Sequence, residues 1–154
     1  MTDKKPSSRG VGAVALALAL AAIAAHEGYV PRTYADPIGI PTSCYGHVGP
    51  ENTPGRVFTH DECQRLLSLD ARIAVAAVNR CIGVPMTDGQ AAALVSFTYN
   101  VGGSAMCKST LARLANAGRW GEACAQLERW VYAGGRKLPG LVKRRKEERR
   151  LCES

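Results

Sequence analysis

Two long stretches of the chain repeat apolar residues at helical spacing after a capping box. Thr59 followed by Glu62 opens the first stretch, and its pattern predicts a helix from about His60 to Arg80. A helix of this length can join two lobes of a small protein. Its predicted apolar face consists of Leu66, Leu69, Ile73 and Ala77.

Thr87 and Gln90 form the second capping box, which opens an apolar helix that ends at Gly102-Gly103. We expect it to be the core helix of the fold. Further helices are predicted after it: one at about 110–117, one at about 120–132 and, introduced by Pro139, a last helix to about Cys152.

Residues 28–47 are rich in Gly and Pro and have strand character, and the segment from Gly49 to Gly55 is dense in turn formers. This order predicts a small sheet followed by a loop, and few other strands are visible. The fold class is therefore α+β, mostly helical. Trp130 and Tyr132, at the end of a predicted helix, are assigned to the core rather than to sugar stacking.

An uncharged run dominated by alanine covers residues 10–25 and follows a basic segment, residues 1–9, with Lys4, Lys5 and Arg9. This order is typical of an export signal. The run is shorter than the roughly 20 apolar residues of a stable span, so membrane retention should be marginal. Two other interpretations stay open: a signal peptide cleaved after an A-x-A site, and a buried core helix of a cytosolic protein.

The chain has 154 residues, which limits the number of domains, and a formal net charge of +7, which limits the kinds of partner. Residues 26–154 suffice for one domain with a sizeable core. The charge favours a polyanion: nucleic acid, an anionic membrane or the acidic bacterial wall. Only the basic run 143–150 supports nucleic acid, since no RNA-binding, zinc-finger or Walker-type signature is present. Because that run contains Glu147 and Glu148, we interpret it as a solvated, salt-bridged face of the last helix.

Six cysteines are spread along the chain without the close pairs of a zinc or thioredoxin site. Their even number and the export-type N-terminus predict disulfides formed in an oxidising periplasm, and no metal or cofactor is expected. Spacing alone leaves fifteen connectivities open. The cysteines are Cys44, Cys63, Cys81, Cys107, Cys124 and Cys152.

Glu27 and Asp36 are the candidate acid-base pair. Cleavage of a glycosidic bond needs one carboxylic acid to protonate the leaving oxygen and a second carboxylate to activate water or stabilise the oxocarbenium-like centre. Glu27 follows an apolar segment and Asp36 lies in a turn-like Ala-Asp-Pro, so their environments differ as these roles require. Two carboxylates nine positions apart are also common as solvated surface charges. His47 is assigned a structural hydrogen bond.

A longer pattern favours a catalytic role for Glu27 and Asp36 over the role of surface charges. Glu27, Asp36 and Thr42 are spaced by nine and then six positions, and Gly46-His47 closes the segment. This pattern resembles the catalytic stretch of phage-type lysozymes of glycoside hydrolase family twenty-four. The resemblance spans about residues 26–152 and includes Phe97-Thr98-Tyr99-Asn100-Val101-Gly102, Arg129-Trp130-Val131-Tyr132-Ala133-Gly134-Gly135, Gly140-Leu141 and Arg144-Arg145.

The resemblance implies a lysozyme-like fold, in which a long helix joins a small β-sheet lobe to a larger helical lobe. It implies that Glu27 is the general acid, Asp36 the second carboxylate and Thr42 a residue that positions the attacking water. Asn100 is a weaker candidate for binding sugar hydroxyls, and a helix cap is its alternative role. The implied disulfides are Cys81 with Cys107 and Cys124 with Cys152, which leaves Cys44 with Cys63.

In that family the catalytic Glu ends the first helix of the domain, and here only residues 10–25 can form that helix. The resemblance therefore implies a signal-arrest-release endolysin: a Sec-type signal anchor tethers the protein to the inner membrane, and release to the periplasm folds the helix onto the domain. We expect a monomeric muramidase that cleaves the β-1,4 bond between N-acetylmuramic acid and N-acetylglucosamine in peptidoglycan and lyses the host. A non-catalytic basic envelope-binding protein and a lytic transglycosylase are the alternatives.

Overall fold

Helices carry most of the architecture in the computed structural model, which describes residues 9–154. Lys4 and Lys5 of the predicted basic segment lie outside this range. Within it, seven α-helices, one 3-10 helix and two antiparallel two-stranded sheets confirm the predicted class, α+β and mostly helical. In chain order the elements are α1 (Ala13–Glu27), β1 (Val30–Ala35), β2 (Pro41–Cys44), α2 (His60–Cys81), α3 (Asp88–Val101), α4 (Gly103–Cys107), α5 (Thr110–Asn116), α6 (Trp120–Gln126), the 3-10 helix (Leu127–Arg129), β3 (Tyr132–Ala133), β4 (Arg136–Lys137) and α7 (Pro139–Glu153).

Both predicted capping boxes are formed. At the start of α2 the Thr59 hydroxyl accepts a hydrogen bond from the Glu62 amide at 3.1 Å, and the Glu62 carboxylate accepts one from the Thr59 amide at 2.8 Å. Thr87 and Gln90 make the same pair of bonds at the start of α3. These bonds satisfy amide groups that no helical carbonyl reaches, which is why both helices begin where the sequence predicts.

The core helix is α3, as predicted. Residues 91–98 are all buried, because α1, α2 and α7 pack around this helix. It ends at Gly102, whose φ of +91° lies in the region that favours glycine. The prediction took Gly102-Gly103 as the end of the helical segment, but α4 begins at Gly103, so the glycine changes the direction of the chain and does not end the helical region.

The apolar face assigned to α2 is partly wrong. Leu69 is 52% exposed and Ile73 is 73% exposed, whereas smaller residues face the core. The assignment followed one helical spacing of apolar residues, but the buried face is a neighbouring one that is rich in alanine, which lets the helix approach α3 closely. The buried residues of α2 are Cys63, Leu67, Ala71, Ala74, Ala77 and Val78.

The helix predicted at about 120–132 is shorter than expected. α6 and the 3-10 helix end before Tyr132, which begins a two-stranded hairpin that the sequence analysis missed. Its turn contains two successive glycines with positive φ. Tyr132 is 63% exposed, so its assignment to the core is wrong, while Trp130 packs against Phe97 with ring centroids 5.2 Å apart.

The predicted small sheet is formed by β1 and β2. Tyr34 pairs with Thr42 and Ala35 with Pro41, and the chain reverses between the strands at Asp36. The segment from Gly49 to Gly55 is a loop, as predicted. α2 leads from this lobe into the helical lobe, which contains the other described helices.

Three disulfides confirm the two pairs that the resemblance implies, Cys81–Cys107 and Cys124–Cys152, and the remaining pair, Cys44–Cys63. The first ties β2 to α2, the second ties α2 to α4, and the third ties α6 to α7. Their sequence separations are 19, 26 and 28 residues. Loops of this length give each bond a stabilisation of about 3 kcal/mol in the chain-entropy account.

α1 is formed by the uncharged N-terminal run together with His26 and Glu27. It packs on α3 through Ala15, Ala19 and Ile23, which recur every four residues and are fully buried. Its N-terminal end is tied to α2 by a hydrogen bond from the Val11 amide to Asn79 Oδ1 at 2.9 Å. In residues 9–154 no helix combines the length and the apolarity that crossing a membrane requires.

α7 begins with Pro139 in its first turn, as predicted. The run 143–150 is salt-bridged, as predicted, but the expectation that it is a solvated face is wrong for Arg144, Arg145 and Glu148, which are buried. The two cations lie beside carboxylates, which offsets the cost of removing them from water. Lys143 and Lys146, on the other side of the helix, are exposed.

Candidate active site

Glu27 is the last residue of α1, where the helix ends at Gly28 with a φ of +73°. Its side chain is 21% exposed, and Arg144 Nη1 donates a hydrogen bond to its Oε1 at 2.8 Å. The other oxygen, Oε2, faces Gly46, where an added Cβ would lie only 2.6 Å away. Gly46 is therefore required for the carboxylate to occupy this position.

Asp36 lies at the turn between β1 and β2, in the sheet lobe. Its Oδ1 accepts hydrogen bonds from the amides of Ile38 at 2.9 Å and Ile40 at 2.8 Å. These two bonds fix the plane of the carboxylate. Oδ2 takes no hydrogen bond from residues 9–154, so it is available to a water molecule or a substrate.

Thr42 is buried in β2, six residues after Asp36 and opposite Tyr34. Its hydroxyl donates to the carbonyl oxygen of Ile40 at 2.9 Å. Since its single proton is used in this bond, the hydroxyl can only accept a hydrogen bond from a water molecule. The same residue, Ile40, thus contacts both Asp36 and Thr42 and sets their relative position.

A cavity of about 260 Å³ lies between the sheet lobe, which contributes Gly46, and the helices. Gly46 lines it and also contacts Glu27, which places the cavity next to the carboxylate. Ile73, one of two large apolar residues of α2 that are exposed, lines the same cavity. This position explains why a large apolar side chain of α2 points away from the core. The other lining residues are Val48, Asp70, Ala74, Thr98, Tyr99, Gly102 and Gly103.

His47 lies shortly after β2, and its side chain lies between two carboxylates. Its Nδ1 is 2.7 Å from Asp70 Oδ2 and its Nε2 is 2.9 Å from Glu51 Oε2. Burial by itself would lower the pKa of His47, but the hydrogen bonds to Glu51 and Asp70 outweigh it and raise this pKa above its usual value. The protonated ring, with two N–H donors, suits this position.

We expect the stability contributed by His47 to be lost as the pH rises. Because the folded-state pKa is above the unfolded value, the contribution is complete below about pH 6.5 and disappears as the pH passes through the raised pKa. Below this window, protonation of Asp70 weakens the interaction, and burial raises the pKa of that carboxyl. In urea unfolding, the difference between wild type and His47→Gln should be about 1–2 kcal/mol at pH 6 and smaller at pH 9. A difference that grows toward pH 9 would contradict this assignment.

Asn100 is exposed at the end of α3, and its Oδ1 accepts a hydrogen bond from Arg145 Nη2. The cap of α3 is Gly102, so the alternative role of Asn100 as the cap residue is not realised. With the amide oxygen bound to Arg145, its NH₂ group is the part that remains for a sugar hydroxyl.

The sequence analysis gave no role to three residues near Glu27. Arg144 contacts the carboxylate directly, Glu148 contacts Arg144, and Ser96 of α3 donates to Glu148. One signal was present: Arg144 and Glu148 are four residues apart on a helix, as ion pairs often are. The basic run made this spacing look like a surface pattern, and nothing local pointed to Ser96.

Comparison with known proteins gives a consistent result. The family model described as phage lysozyme matches residues 24–148. The chain is 42% identical over 126 residues to the SAR-endolysin of Bacteriophage PS119, an alignment that covers 82% of this chain and 75% of that one. It is 36% identical over 157 residues to the SAR-endolysin of Enterobacteria phage P21, covering 97% and 94% of the two chains.

Among solved structures, the endolysin from Escherichia coli O157:H7 phage FAHEc1 superposes with a TM-score of 0.81 at 32% identity. The superposition covers 96% of each chain, so both lobes share the arrangement of that endolysin. The predicted lysozyme-like fold is thereby confirmed. This shared fold and the family match over most of the chain lead to one conclusion: the chain belongs to the phage lysozyme family and is a lysozyme-type glycoside hydrolase.

Proposed function

We propose that this protein hydrolyses the β-1,4 bond between N-acetylmuramic acid and N-acetylglucosamine, with Glu27 as general acid, Asp36 as second carboxylate and Thr42 as the residue that positions water. Membership of the phage lysozyme family gives the coarser role, a peptidoglycan-lytic muramidase. The proposal is carried by the position of Glu27: a partly exposed carboxylate from the helical lobe, held by Arg144 beside a cavity that the sheet lobe also lines.

The Oδ2 of Asp36, which is open among residues 9–154, and the acceptor-only hydroxyl of Thr42 support a one-step displacement by water. Glu27 gives its proton to the glycosidic oxygen as the bond from that oxygen to C1 breaks, and a water oxygen forms the new bond to C1. The water donates one hydrogen bond to Thr42, whose own proton is used by Ile40. Its other proton passes to Oδ2 of Asp36, the oxygen without a protein partner in the described part of the chain. Exchange with solvent then restores both carboxyl groups.

This reaction is expected to invert the anomeric centre. Proton NMR of purified peptidoglycan during early turnover should detect the α-anomer of the new reducing end first, because inversion of a β-linkage gives α. Mass spectrometry of the released muropeptides should find the mass of hydrolysed products. A β-anomer as first product would argue for a covalent intermediate, and an anhydro sugar would identify a lytic transglycosylase.

We also propose that residues 10–25 act as an uncleaved signal anchor that tethers the monomer to the inner membrane and is later released to the periplasm. Relatives at 36–42% identity have the name SAR-endolysin. The run contains no charged residue, and its outward positions in α1, among them Val14 and Leu18, are exposed and apolar. Such a surface suits a segment that is in contact with lipid before it packs on the domain.

A further inference from the structure

Glu148 is a carboxylate that is completely buried in the helical lobe. Its Oε1 accepts hydrogen bonds from Ser96 Oγ at 2.8 Å and from Arg144 Nε at 3.3 Å. Its Oε2 accepts from Arg145 Nη1 at 2.6 Å. Both oxygens are therefore occupied, and the plane of the carboxylate is fixed by partners from α3 and α7.

The second cation of this cluster, Arg145, is held from other sides as well. Its Nε donates to the carbonyl oxygen of Trp130 at 3.0 Å, its guanidinium lies 5.0 Å from the centre of the Phe97 ring, and Asn100 accepts from Nη2. Arg145 thus has a fixed position without Glu148. Hydrogen bonds from Arg145 and Ser96 orient the Glu148 carboxylate. The bond from Arg144 Nε to this carboxylate then orients Arg144.

Arg144 connects this cluster to Glu27. Nε bonds to Glu148, Nη2 donates to the carbonyl oxygen of Ser96 at 3.4 Å, and Nη1 donates to Glu27 Oε1 at 2.8 Å. Because a guanidinium is planar and rigid, fixing Nε and Nη2 determines where Nη1 points. Glu148 does not touch Glu27, so any influence on it must pass through Arg144.

The direction of these bonds decides which oxygen of Glu27 carries a proton. Arg144 is only a donor, and in a protonated carboxyl group the carbonyl oxygen accepts more strongly than the hydroxyl oxygen, so the bond to Oε1 favours the proton on the other oxygen. The proton of the acid form therefore lies on Oε2, the oxygen that faces Gly46 and the cavity side. If Arg144 turned away, it would favour neither oxygen, and if it reached Oε2 instead, it would favour the proton on Oε1, away from the cavity.

We propose that Glu148 and Ser96 are positioning residues for proton transfer: through Arg144 they hold Glu27 with Oε1 as acceptor and with the transferable proton on Oε2. This inference rests on the proposed role of Glu27 as general acid. It makes the buried charges of α7 part of the catalytic arrangement, although none of them except Arg144 contacts the acid.

Steady-state kinetics on purified peptidoglycan test this inference. Glu148→Gln keeps the size of the side chain but places an amide group against two arginines. We expect kcat to fall by about 10- to 100-fold with KM changed less than about twofold, since a small misplacement of a catalytic group costs about this much. Val78→Ala, a core change in α2, is the control for lost stability and should leave kcat unchanged while the protein is folded.

The decisive comparison is made in an Arg144→Met background. If Glu148 acts through Arg144, adding Glu148→Gln to Arg144→Met causes no further loss of kcat. Losses that multiply would overturn the inference, as would a wild-type kcat in Arg144→Met alone. Should Glu148→Gln fail to fold, Ser96→Ala, which removes only one hydroxyl, replaces it in the same comparison.

Glu27→Gln, measured in parallel, separates the two proposals. If that variant is inactive while the Glu148 and Ser96 variants keep the wild-type kcat, the positioning inference fails and the function stands. If Glu27→Gln is itself active, the assignment of the general acid fails first.

Discussion

Clearing of purified cell walls is expected to slow by about 100- to 10,000-fold when Glu27 is replaced by Gln, the range over which general acids contribute to catalysis. Gln keeps the shape of the side chain, and its amide oxygen can still accept the bond from Arg144 Nη1. The amide NH₂ then takes the place of Oε2, and it has no proton acidic enough to give to a leaving sugar oxygen. Binding to the wall should persist while cleavage stops.

Glu122→Gln is the matched control for this substitution. Glu122 is exposed on α6 and paired with Arg119 at 2.5 Å, away from the cavity beside Glu27. The Glu122→Gln variant loses one negative charge, as Glu27→Gln does, and should clear walls at the wild-type rate. Circular dichroism of both variants excludes unfolding as the cause of any loss. A Glu27→Gln protein that clears walls as fast as the control would refute the enzymatic assignment and favour a binding protein.

Local signals in the sequence were sufficient for the elements whose ends are fixed by their own residues. Thr59 with Glu62 and Thr87 with Gln90 form bonds within one turn, so the starts of α2 and α3 were predicted correctly. Pro139 marked the start of α7, because proline has a φ near the helical value and lacks the N–H that a first turn leaves unpaired. These features need no knowledge of what the helix packs against.

Features that depend on distant partners were not predictable in this way. Glu148 is buried because Ser96, 52 positions earlier, donates to it. Without that partner the basic run around Glu148 is typical of a solvated face. Ile73 was assigned to the core by its helical spacing, yet it lines the cavity. Tyr132 belongs to a hairpin whose one local signal is the pair of glycines in its turn. The pairing of the candidate catalytic residues came from the resemblance, since spacing alone was consistent with surface charges.

The proposed anchor would connect localisation to activity, because α1 carries Glu27 at its end. Removal of the run by signal peptidase after Ala24 would leave Glu27 close to a frayed terminus. In the folded protein α1 is instead anchored along its length, by Ala15, Ala19 and Ile23 against α3 and by the Val11 bond to Asn79. While the run lies in a membrane these contacts cannot form, so we expect the tethered protein to be inactive and the released one to be active.

Stronger membrane retention should therefore delay lysis without damaging the enzyme. Gly12, Ala17 and Ala21 are exposed, so replacing all three by Leu adds hydrophobicity without entering the packing between α1 and α3. Each Leu contributes roughly 0.5 kcal/mol to insertion at the centre of a span, about 1.5 kcal/mol for the three. Ala15 and Ala19 are unsuitable positions, because a Leu there would also block the buried contact with α3.

Fractionation of expressing cells is the measurement, together with the onset of lysis and the activity of each purified, released protein. The triple Leu variant should remain in the membrane fraction and lyse late or never, yet clear walls normally once it is folded outside the membrane. The control is a variant with Ser at the same three positions. Serine lowers the hydrophobicity of the exposed face of α1, so this variant should favour the soluble periplasmic form. A mature wild-type protein that begins at Ala25 or His26 and is fully active would contradict the model, because Glu27 would then need no helix before it.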